Sequence, residues 1–128
     1  MSAEHGEAGP SVSRVSREHA ITFDWGSIQW LVNDQLAADA QITFGYVEID
    51  AGGKNPRHLH PNCDEVLYVL EGTLEHSLGD DVVDLSPGDA LLIPRNVPHD
   101  ARNRGQASAR VVVAYSTGDR QTVMLEGQ

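Results

Sequence analysis

Residues 52–72 read GGKNPRHLHPNCDEVLYVLEG and contain two histidines, a carboxylate and an apolar run in close succession. Alternate side chains of a β-strand point to the same face, so His58 and His60 are expected to aim into one space if this segment is extended. Five residues further on, Glu65 opens the apolar run, whose valines and tyrosine favour a second strand.

The segment between the histidines and Glu65 contains Pro61 and Asn62, which are typical turn residues. We therefore predict that the two strands fold back on each other as a hairpin, which would bring Glu65 beside the two imidazoles. Nitrogen and carboxylate ligands that converge in this way suit zinc, manganese, iron, cobalt or nickel. The stretch predicts a metal site.

A further histidine follows in residues 88–103, GDALLIPRNVPHDARN, where two prolines bracket a turn just before it. With this segment the chain resembles the cupin family, which is defined by two sequence motifs. The first motif, G-x5-H-x-H-x4-E-x6-G, is matched at every position, by Gly52, His58, His60, Glu65 and Gly72. The second motif, G-x5-P-x-G-x2-H-x3-N, is matched by Gly88, Pro94, His99 and Asn103.

The second motif has one departure, because Asn96 stands where the family usually has glycine. Asparagine is the residue that next best tolerates a positive φ, so we expect the tight turn to survive. Asn103 is interpreted as a structural residue that ties a turn rather than as a substrate contact.

The resemblance implies that one divalent transition metal is bound, which in this family is iron, manganese, nickel, cobalt, zinc or copper. The implied ligands are His58, His60, Glu65 and His99. Four protein ligands would leave up to two positions of an octahedron open, as a catalytic site requires. The alternative is a barrel that has kept these residues but holds no metal. The ligand set does not discriminate among the metals.

Short apolar segments separated by turn residues, without helical periodicity, predict an all-β barrel or sandwich. The resemblance narrows this to the double-stranded β-helix, or jelly-roll barrel, of the cupins. The length of 128 residues fits one domain. We predict a flexible N-terminal tail over residues 1–17, a cupin barrel over 18–118, and a C-terminal tail or edge strand over 119–128.

Composition limits the partners that we expect. The formal net charge of −10 repels nucleic-acid phosphates and anionic lipids, so neither nucleic acid nor membrane is an expected partner. The longest apolar runs have five residues, far below the roughly 20 that cross a bilayer. The N-terminus does not resemble a secretory signal. A single cysteine is consistent with a reducing compartment, and we predict a cytoplasmic location.

Strand periodicity also predicts an exposed apolar face. If Glu65 points inward, the outward side of its strand carries Val66, Tyr68 and Leu70, and the run at residues 111–115 poses the same problem. Either the N-terminal strands or a second subunit would cover this face. Because cupins commonly dimerise in this way, we predict a homodimer.

Several other residues have two interpretations. His76 alternates with leucines, which favours a core histidine with one hydrogen-bond partner over an acid or base in the pocket. Cys63 is either a small buried hydrophobe or a thiolate that faces the site. Arg57 and Arg95 flank the ligand segments and either hold an acidic substrate or serve solubility.

We predict a metal-dependent enzyme that acts on a small organic substrate with a carbonyl, enol or carboxylate group. In the family the reactions include those of dioxygenases, isomerases, decarboxylases and lyases, and the fold does not choose among them. The pocket residues that we expect, Leu67, Val69, Ala101 and Phe44, are apolar, which favours a partly apolar substrate over a phosphorylated sugar. The alternative function is a non-catalytic barrel that binds a metal and a small molecule, for example as a sensor.

Overall fold

The computed structural model describes residues 10–126, which form two antiparallel sheets preceded by a short 3-10 turn at Arg17–His19. The strands in chain order are β1 Ile21–Phe23, β2 Gly26–Val32, β3 Thr43–Ile49, β4 His58–Leu59, β5 Glu65–Glu71, β6 Leu74–Leu78, β7 Asp81–Leu85, β8 Ala90–Ile93, β9 His99–Arg102, β10 Ala109–Tyr115 and β11 Val123–Met124.

The first sheet has the strand order β1-β2-β3-β10-β5-β8, and the second has the order β11-β4-β9-β6-β7. The chain passes repeatedly from one sheet to the other, since β3 and β5 lie in the first sheet while β4 and β6 lie in the second. This arrangement is the jelly-roll barrel, so the predicted all-β jelly-roll fold is confirmed.

The predicted hairpin between the histidine segment and the strand after Glu65 is wrong. Strand β4 lies in the second sheet, where His58 pairs with His99. Strand β5 lies in the first sheet, between β10 and β8. The turn at 61–62 therefore carries the chain from one sheet to the other. Glu65 still meets the imidazoles, because they point into the barrel from opposite sheets.

Strand β5 shows the predicted period of two. Leu67 and Val69 are 4% and 0% exposed, whereas Val66 and Tyr68 are 42% and 41% exposed. Inward side chains of both sheets form one core, because burying an apolar side chain contributes about 1.5–3 kcal/mol. The core is formed by Val47, Ile49, Cys63, Leu67, Val69, Leu74, Leu85, Ile93, Ala101, Ala109, Val111, Val113 and Tyr115.

The turn of the second motif keeps its conformation despite the missing glycine. Asn96 has a φ of 67°, the left-handed conformation that asparagine tolerates. Asn103 is buried, and its amide nitrogen donates to the carbonyl oxygens of Ile49 and Ala107 at 2.9 Å each. These bonds agree with the structural role predicted for Asn103.

Both ends of the described chain pack on the barrel. The amide nitrogen of Ser16 donates to the side chain of Gln29, and that side chain donates to the carbonyl of Arg14. The end of the segment predicted as a flexible tail thus lies on β2, while residues 1–9 lie outside the described residues. At the other end β11 pairs with β4, so an edge strand forms before the described chain ends at 126.

The N-terminal strands do not cover the outer face of the first sheet. Strands β1 and β2 instead extend that sheet beyond β3. Among residues 10–126, no helix is long and apolar enough to cross a membrane.

Candidate metal centre

Three histidines meet inside the barrel. A ring nitrogen of each of His58, His60 and His99 lies within 4.8 Å of the others. The ring of His58 has its centroid 4.3 Å from that of His99 and 4.9 Å from that of His60. The antiparallel pairing of β4 with β9 sets His58 opposite His99, while His60 follows β4 directly. Two of the three predicted histidines are thus neighbours across one strand pair.

Each ring has one nitrogen held by the backbone. The Nδ1 atoms of His58, His60 and His99 lie 2.7–2.9 Å from the carbonyl oxygens of Pro56, Gln121 and Val97, in that order. A carbonyl oxygen only accepts, so each Nδ1 carries the proton, and in the neutral ring each Nε2 has a free lone pair. This is the second-shell pattern that orients imidazole ligands in metal sites.

The carboxylate of Glu65 completes the cluster. Its Oε1 lies 3.4 Å from Nε2 of His60 and 3.2 Å from Nε2 of His99. Burial by itself raises the pKa of Glu65, but protons on the facing Nε2 atoms of His60 and His99, through hydrogen bonds and positive charge, outweigh this effect and hold the pKa well below the usual range. A metal cation in place of those protons would act in the same direction. The group is therefore an ionised carboxylate at neutral pH, although it is only 4% exposed.

The low pKa of His58 also favours the binding of a metal ion. Burial, with the nearby charge of His99 as the next cause, lowers the pKa of His58 to about 4. The ring is thus neutral at pH 7 and offers a lone pair without first losing a proton.

Three atoms of this cluster are buried and have no hydrogen-bond partner among residues 10–126, namely Nε2 of His60, Nε2 of His99 and Oε1 of Glu65. Buried polar groups are nearly always paired, because an unpaired one costs about 1–3 kcal/mol. Lone pairs and an ionised carboxylate oxygen that converge on one space repel each other unless a cation lies between them. The donor set therefore fits a divalent transition metal, and it suits several metals equally well.

The cluster opens into a cavity of about 490 Å³ between the two sheets. Its wall is mostly apolar and aromatic, formed by Phe23, Trp25, Ile28, Trp30, Val47, Ile49, Pro56, Leu67, Ala101, Val111, Val113, Tyr115 and Met124, with the polar groups Asp24, Asn55, His58, Glu65, His76, His99, Arg120 and Thr122. Leu67 and Ala101 line it as predicted. The prediction for Phe44 is wrong, because the neighbours Val47 and Ile49 on β3 point inward and Phe44 has the opposite parity. Val69 is buried in the core and does not line the cavity.

His76 fits the interpretation as a core histidine with one hydrogen-bond partner, and it also lines the cavity. It is 1% exposed, and its Nδ1 donates to the carbonyl oxygen of Ser77 at 2.9 Å. Its ring also lies parallel to that of His99, with the centroids 5.9 Å apart, and lines the cavity. Burial lowers the pKa of His76, so the ring is neutral at pH 7.

Three other candidates do not line the cavity. Cys63 is a buried core residue, and burial raises the pKa of its thiol, which disfavours the reactive thiolate. Arg57 donates to Ser77 Oγ and to the carbonyl oxygen of Gly79, and Arg95 pairs with an exposed aspartate. Neither arginine is therefore placed to hold a substrate in this cavity.

Sequence reasoning missed the part played by the C-terminal segment, residues 119–126. Its carbonyl at Gln121 accepts from His60, and its side chains Arg120, Thr122 and Met124 reach the cavity. These three residues alternate along the chain, as on one face of a strand. That period of two is the signal that would have identified them.

A family model described as "Cupin domain" matches residues 45–115. Among curated relatives, the tetracenomycin polyketide synthase protein TcmJ of Streptomyces glaucescens is 32% identical over 91 residues, which cover 71% of this chain and 61% of that protein. Germin-like protein 1-1 of Oryza sativa subsp. japonica is 31% identical over 81 residues, which cover 59% and 38%. This chain therefore spans about 38% to 61% of the length of these relatives.

Solved structures show the same fold. An oxalate decarboxylase of Bacillus subtilis, studied for its Mn(II) centres, superposes with a TM-score of 0.77 over 84% of this chain and 30% of its own. The two sequences are 18% identical, so this likeness shows the fold and not the reaction.

Proposed function

The chain belongs to the cupin family, and we propose that it is a metal-dependent enzyme that acts on a small organic molecule. One observation carries the proposal. Three imidazoles and an ionised carboxylate converge beside a cavity that His58, Glu65 and His99 line, and three atoms of the cluster are buried without a hydrogen-bond partner among the described residues. A closed structural site would not need a cavity of substrate size beside it.

In this proposal His58, His60, Glu65 and His99 hold one divalent transition metal. Such a metal supplies Lewis-acid polarisation of a carbonyl, enol or carboxylate oxygen, or oxygen chemistry if it is iron. The Mn(II) centres named for the oxalate decarboxylase that shares the fold make Mn²⁺ a sensible first probe. The donor set is equally compatible with Fe, Ni, Co, Zn and Cu.

The protein residues have separate roles. The backbone carbonyls of Pro56, Gln121 and Val97 fix the three rings, so that the Nε2 atoms face one another. The apolar wall excludes water and strengthens electrostatic interactions inside. His76, which keeps the proton on Nδ1, has its ring centroid 5.9 Å from that of His99, and its neutral Nε2 can accept a hydrogen bond from a bound molecule.

The cavity favours a partly apolar substrate. Its wall contains two tryptophans and a phenylalanine, and Phe23 and Trp25 stack with their centroids 5.0 Å apart. Flat organic molecules suit such a wall, which agrees with the polyketide synthase relative. We propose dioxygenase-like chemistry, or an isomerase, lyase or decarboxylase reaction, on a substrate of this kind.

Elemental analysis of untagged protein, purified anaerobically without chelator, tests the metal proposal. We expect near-stoichiometric transition metal in the wild type and none in His60→Ala. The matched control is His19→Ala, because His19 is exposed in the 3-10 turn and should leave the metal content unchanged. Absence of metal from the wild type, even after reconstitution, would overturn the proposal and leave a ligand-binding barrel.

The finding of metal leaves catalysis to be tested separately. Oxygen uptake with enolic and aromatic substrates tests the dioxygenase-like reaction if the metal is iron. Product analysis with carboxylate and carbonyl substrates tests the isomerase, lyase and decarboxylase reactions. Metal and ligand binding without turnover of any substrate would favour the non-catalytic alternative.

We also propose that the protein is a homodimer formed through the outer face of the first sheet. Val66, Tyr68, Leu70 and Leu92 are 41–59% exposed there, and β1 and β2 leave them uncovered. Light scattering at micromolar concentration should give twice the chain mass, and Tyr68→Glu should give a monomer. Val82→Glu, at a more exposed position on β7 of the second sheet, is the control. A monomeric wild type would overturn the proposal.

The predicted cytoplasmic location stays a prediction.

A further inference from the structure

Arg120 is the single lysine or arginine in the cavity wall among residues 10–126. It enters the cavity from the C-terminal segment, on the same side of the chain as Thr122 and Met124. The remaining charged or hydrogen-bonding groups of the wall include His58, His99 and Glu65 of the cluster, with His76, Asn55, Thr122 and Asp24. A fixed positive charge in an otherwise apolar and acidic wall requires an explanation.

The charge of Arg120 is not neutralised by the protein. No carboxylate among residues 10–126 lies within 4.0 Å of its guanidinium nitrogens, and Asp24 forms no ion pair with it. Its side chain makes a hydrogen bond to the hydroxyl of Thr122. By contrast, Arg57, Arg95, Arg104 and Arg110 each have an acidic partner. Arg120 therefore keeps most of its five donors for another molecule.

Aromatic rings hold the guanidinium in place. Its central carbon lies 4.4 Å from the ring centroid of Trp30 and 5.3 Å from that of Tyr115. Stacking of this kind leaves the N–H groups at the edge of the guanidinium free and limits its motion. The ring of Tyr115 in turn lies 5.0 Å from the ring of His60, so the cation sits one aromatic side chain away from the metal centre.

The segment that carries Arg120 is fixed at both ends. Near its start, Asn62 donates to the carbonyl oxygen of Asp119 and accepts from the amide of Gln121. At its end, Glu126 accepts from Lys54 Nζ at 2.8 Å and from the amide of Arg57. The position of the guanidinium is therefore set before any ligand arrives, which reduces the entropy lost on binding.

We propose that Arg120 is a substrate-binding residue that pairs with the carboxylate of a small organic acid, whose apolar or aromatic body lies in the cavity. A planar guanidinium matches a carboxylate through two parallel hydrogen bonds. The mostly apolar wall accommodates the rest of the molecule. The role in turnover rests on the proposed function, whereas the binding of the carboxylate does not.

Calorimetric titration of the metal-free protein tests this assignment with two probes of the same shape, 2-naphthoate and 2-naphthylmethanol. We expect the wild type to bind the carboxylate more tightly than the alcohol. Arg120→Gln should weaken 2-naphthoate binding about 10- to 100-fold, the loss expected for hydrogen bonds to a charged group, and should leave the alcohol unaffected. Arg120→Lys should recover only part of the affinity, because it keeps the charge but loses the planar fork.

Arg104→Gln is the matched control, since Arg104 pairs with Glu75 and lies outside the cavity. Its affinity for both probes should equal that of the wild type. Metal content of Arg120→Gln should also equal that of the wild type, which shows that the neighbouring Gln121 still holds His60. Because the titration uses metal-free protein, a failure of metal binding would sink the proposed function without affecting this result.

Three results would overturn the assignment. The first is equal affinity of the wild type for the two probes, and the second is no binding of 2-naphthoate to the wild type at millimolar concentration. The third is an equal loss of affinity for both probes in Arg120→Gln, which would mean that Arg120 only shapes the wall.

Discussion

The two faces of strand β9 carry buried polar groups that differ in whether the protein supplies a partner for them. His99 points into the barrel and is 2% exposed, and its Nε2 has no hydrogen-bond partner among the described residues. Asp100 points away and is 9% exposed, with its carboxylate 3.7 Å from Lys54 Nζ and 3.8 Å from a guanidinium nitrogen of Arg57. The outer charges compensate one another, and the inner ones do not.

This difference separates a structural cluster from a functional one. On the outer face, Arg57 also donates to Ser77 and Gly79, and Lys54 binds Glu126, so these groups connect strands and hold the C-terminal segment. On the inner face the protein supplies lone pairs and a negative charge without a balancing donor. Since an unpaired buried group costs about 1–3 kcal/mol, the inner arrangement is expected only where a ligand offsets the cost.

The largest expected effect is the loss of metal affinity when the inner face is changed. Glu65→Ala removes the ionised carboxylate from the cluster and should weaken Mn²⁺ binding by more than about 100-fold, since the loss of an outer-shell partner alone costs about 10- to 100-fold. Asp100→Asn, one residue from His99 on the other face, should leave the affinity unchanged. Isothermal titration of both variants measures the contrast.

Circular dichroism of the two variants shows whether each is folded before the titration. If Glu65→Ala does not fold, Glu65→Gln keeps the volume of the side chain and removes only its charge. Equal Mn²⁺ affinities for the inner and outer variants would contradict the division of β9 into a functional and a structural face.

The next effect is a pH dependence that belongs to the inner face of the metal-free protein. The unfolded chain takes up a proton at His58 near pH 6.5, whereas burial delays this in the folded chain until about pH 4. Between these values the unfolded state binds more protons, so stability falls as the pH falls. Near pH 4, His58 should lower the free energy of unfolding by about 2 kcal/mol relative to pH 7, after allowance for its partial exposure.

Urea unfolding of metal-free wild type and His58→Gln at several values between pH 7 and 4 measures this contribution. The difference in stability between the two proteins should shift in favour of His58→Gln as the pH falls. His19→Gln, which changes an exposed histidine, should keep the slope of the wild type. Parallel curves for wild type and His58→Gln would show that burial does not suppress protonation of His58.

The cluster of histidines and Glu65 on the inner side of β9 could be predicted from the sequence, whereas the cluster of charged residues on its outer side could not. The spacing within the two motifs identifies His58, His60, Glu65 and His99, because residues of a few ligand types at fixed separations can be recognised without knowing the fold. The outer cluster joins three separate parts of the chain, the segment with Lys54 and Arg57, strand β9 with Asp100, and the C-terminal segment with Glu126. Their meeting depends on strand register, which a single sequence with weakly patterned loops does not specify.

The same limit explains the wrong hairpin and the missed arginine. A turn at Pro61-Asn62 does not say whether the chain returns to its own sheet or crosses to the other one, and in a jelly roll it crosses. The C-terminal segment contains only the two-residue strand β11, which is too short to be recognised from its composition. Strands β5 and β10 have seven residues each, and their apolar residues give a signal long enough to predict them from the sequence.

The smallest expected effect tests the outer face alone. Asp100→Asn removes a carboxylate that faces two cations at 3.7 and 3.8 Å, beyond hydrogen-bond distance but largely shielded from solvent. The variant should therefore lose about 1 kcal/mol of unfolding free energy, at the upper end for surface ion pairs and well below the cost of breaking a fully buried pair. Asp84→Asn on exposed β7 should lose much less, and the difference between the two variants in urea unfolding should persist at high salt because partly buried pairs are weakly screened. A loss of several kcal/mol in Asp100→Asn, or a loss of metal affinity, would mean that the outer charges help to position His99, and the two faces of β9 would then form one coupled network.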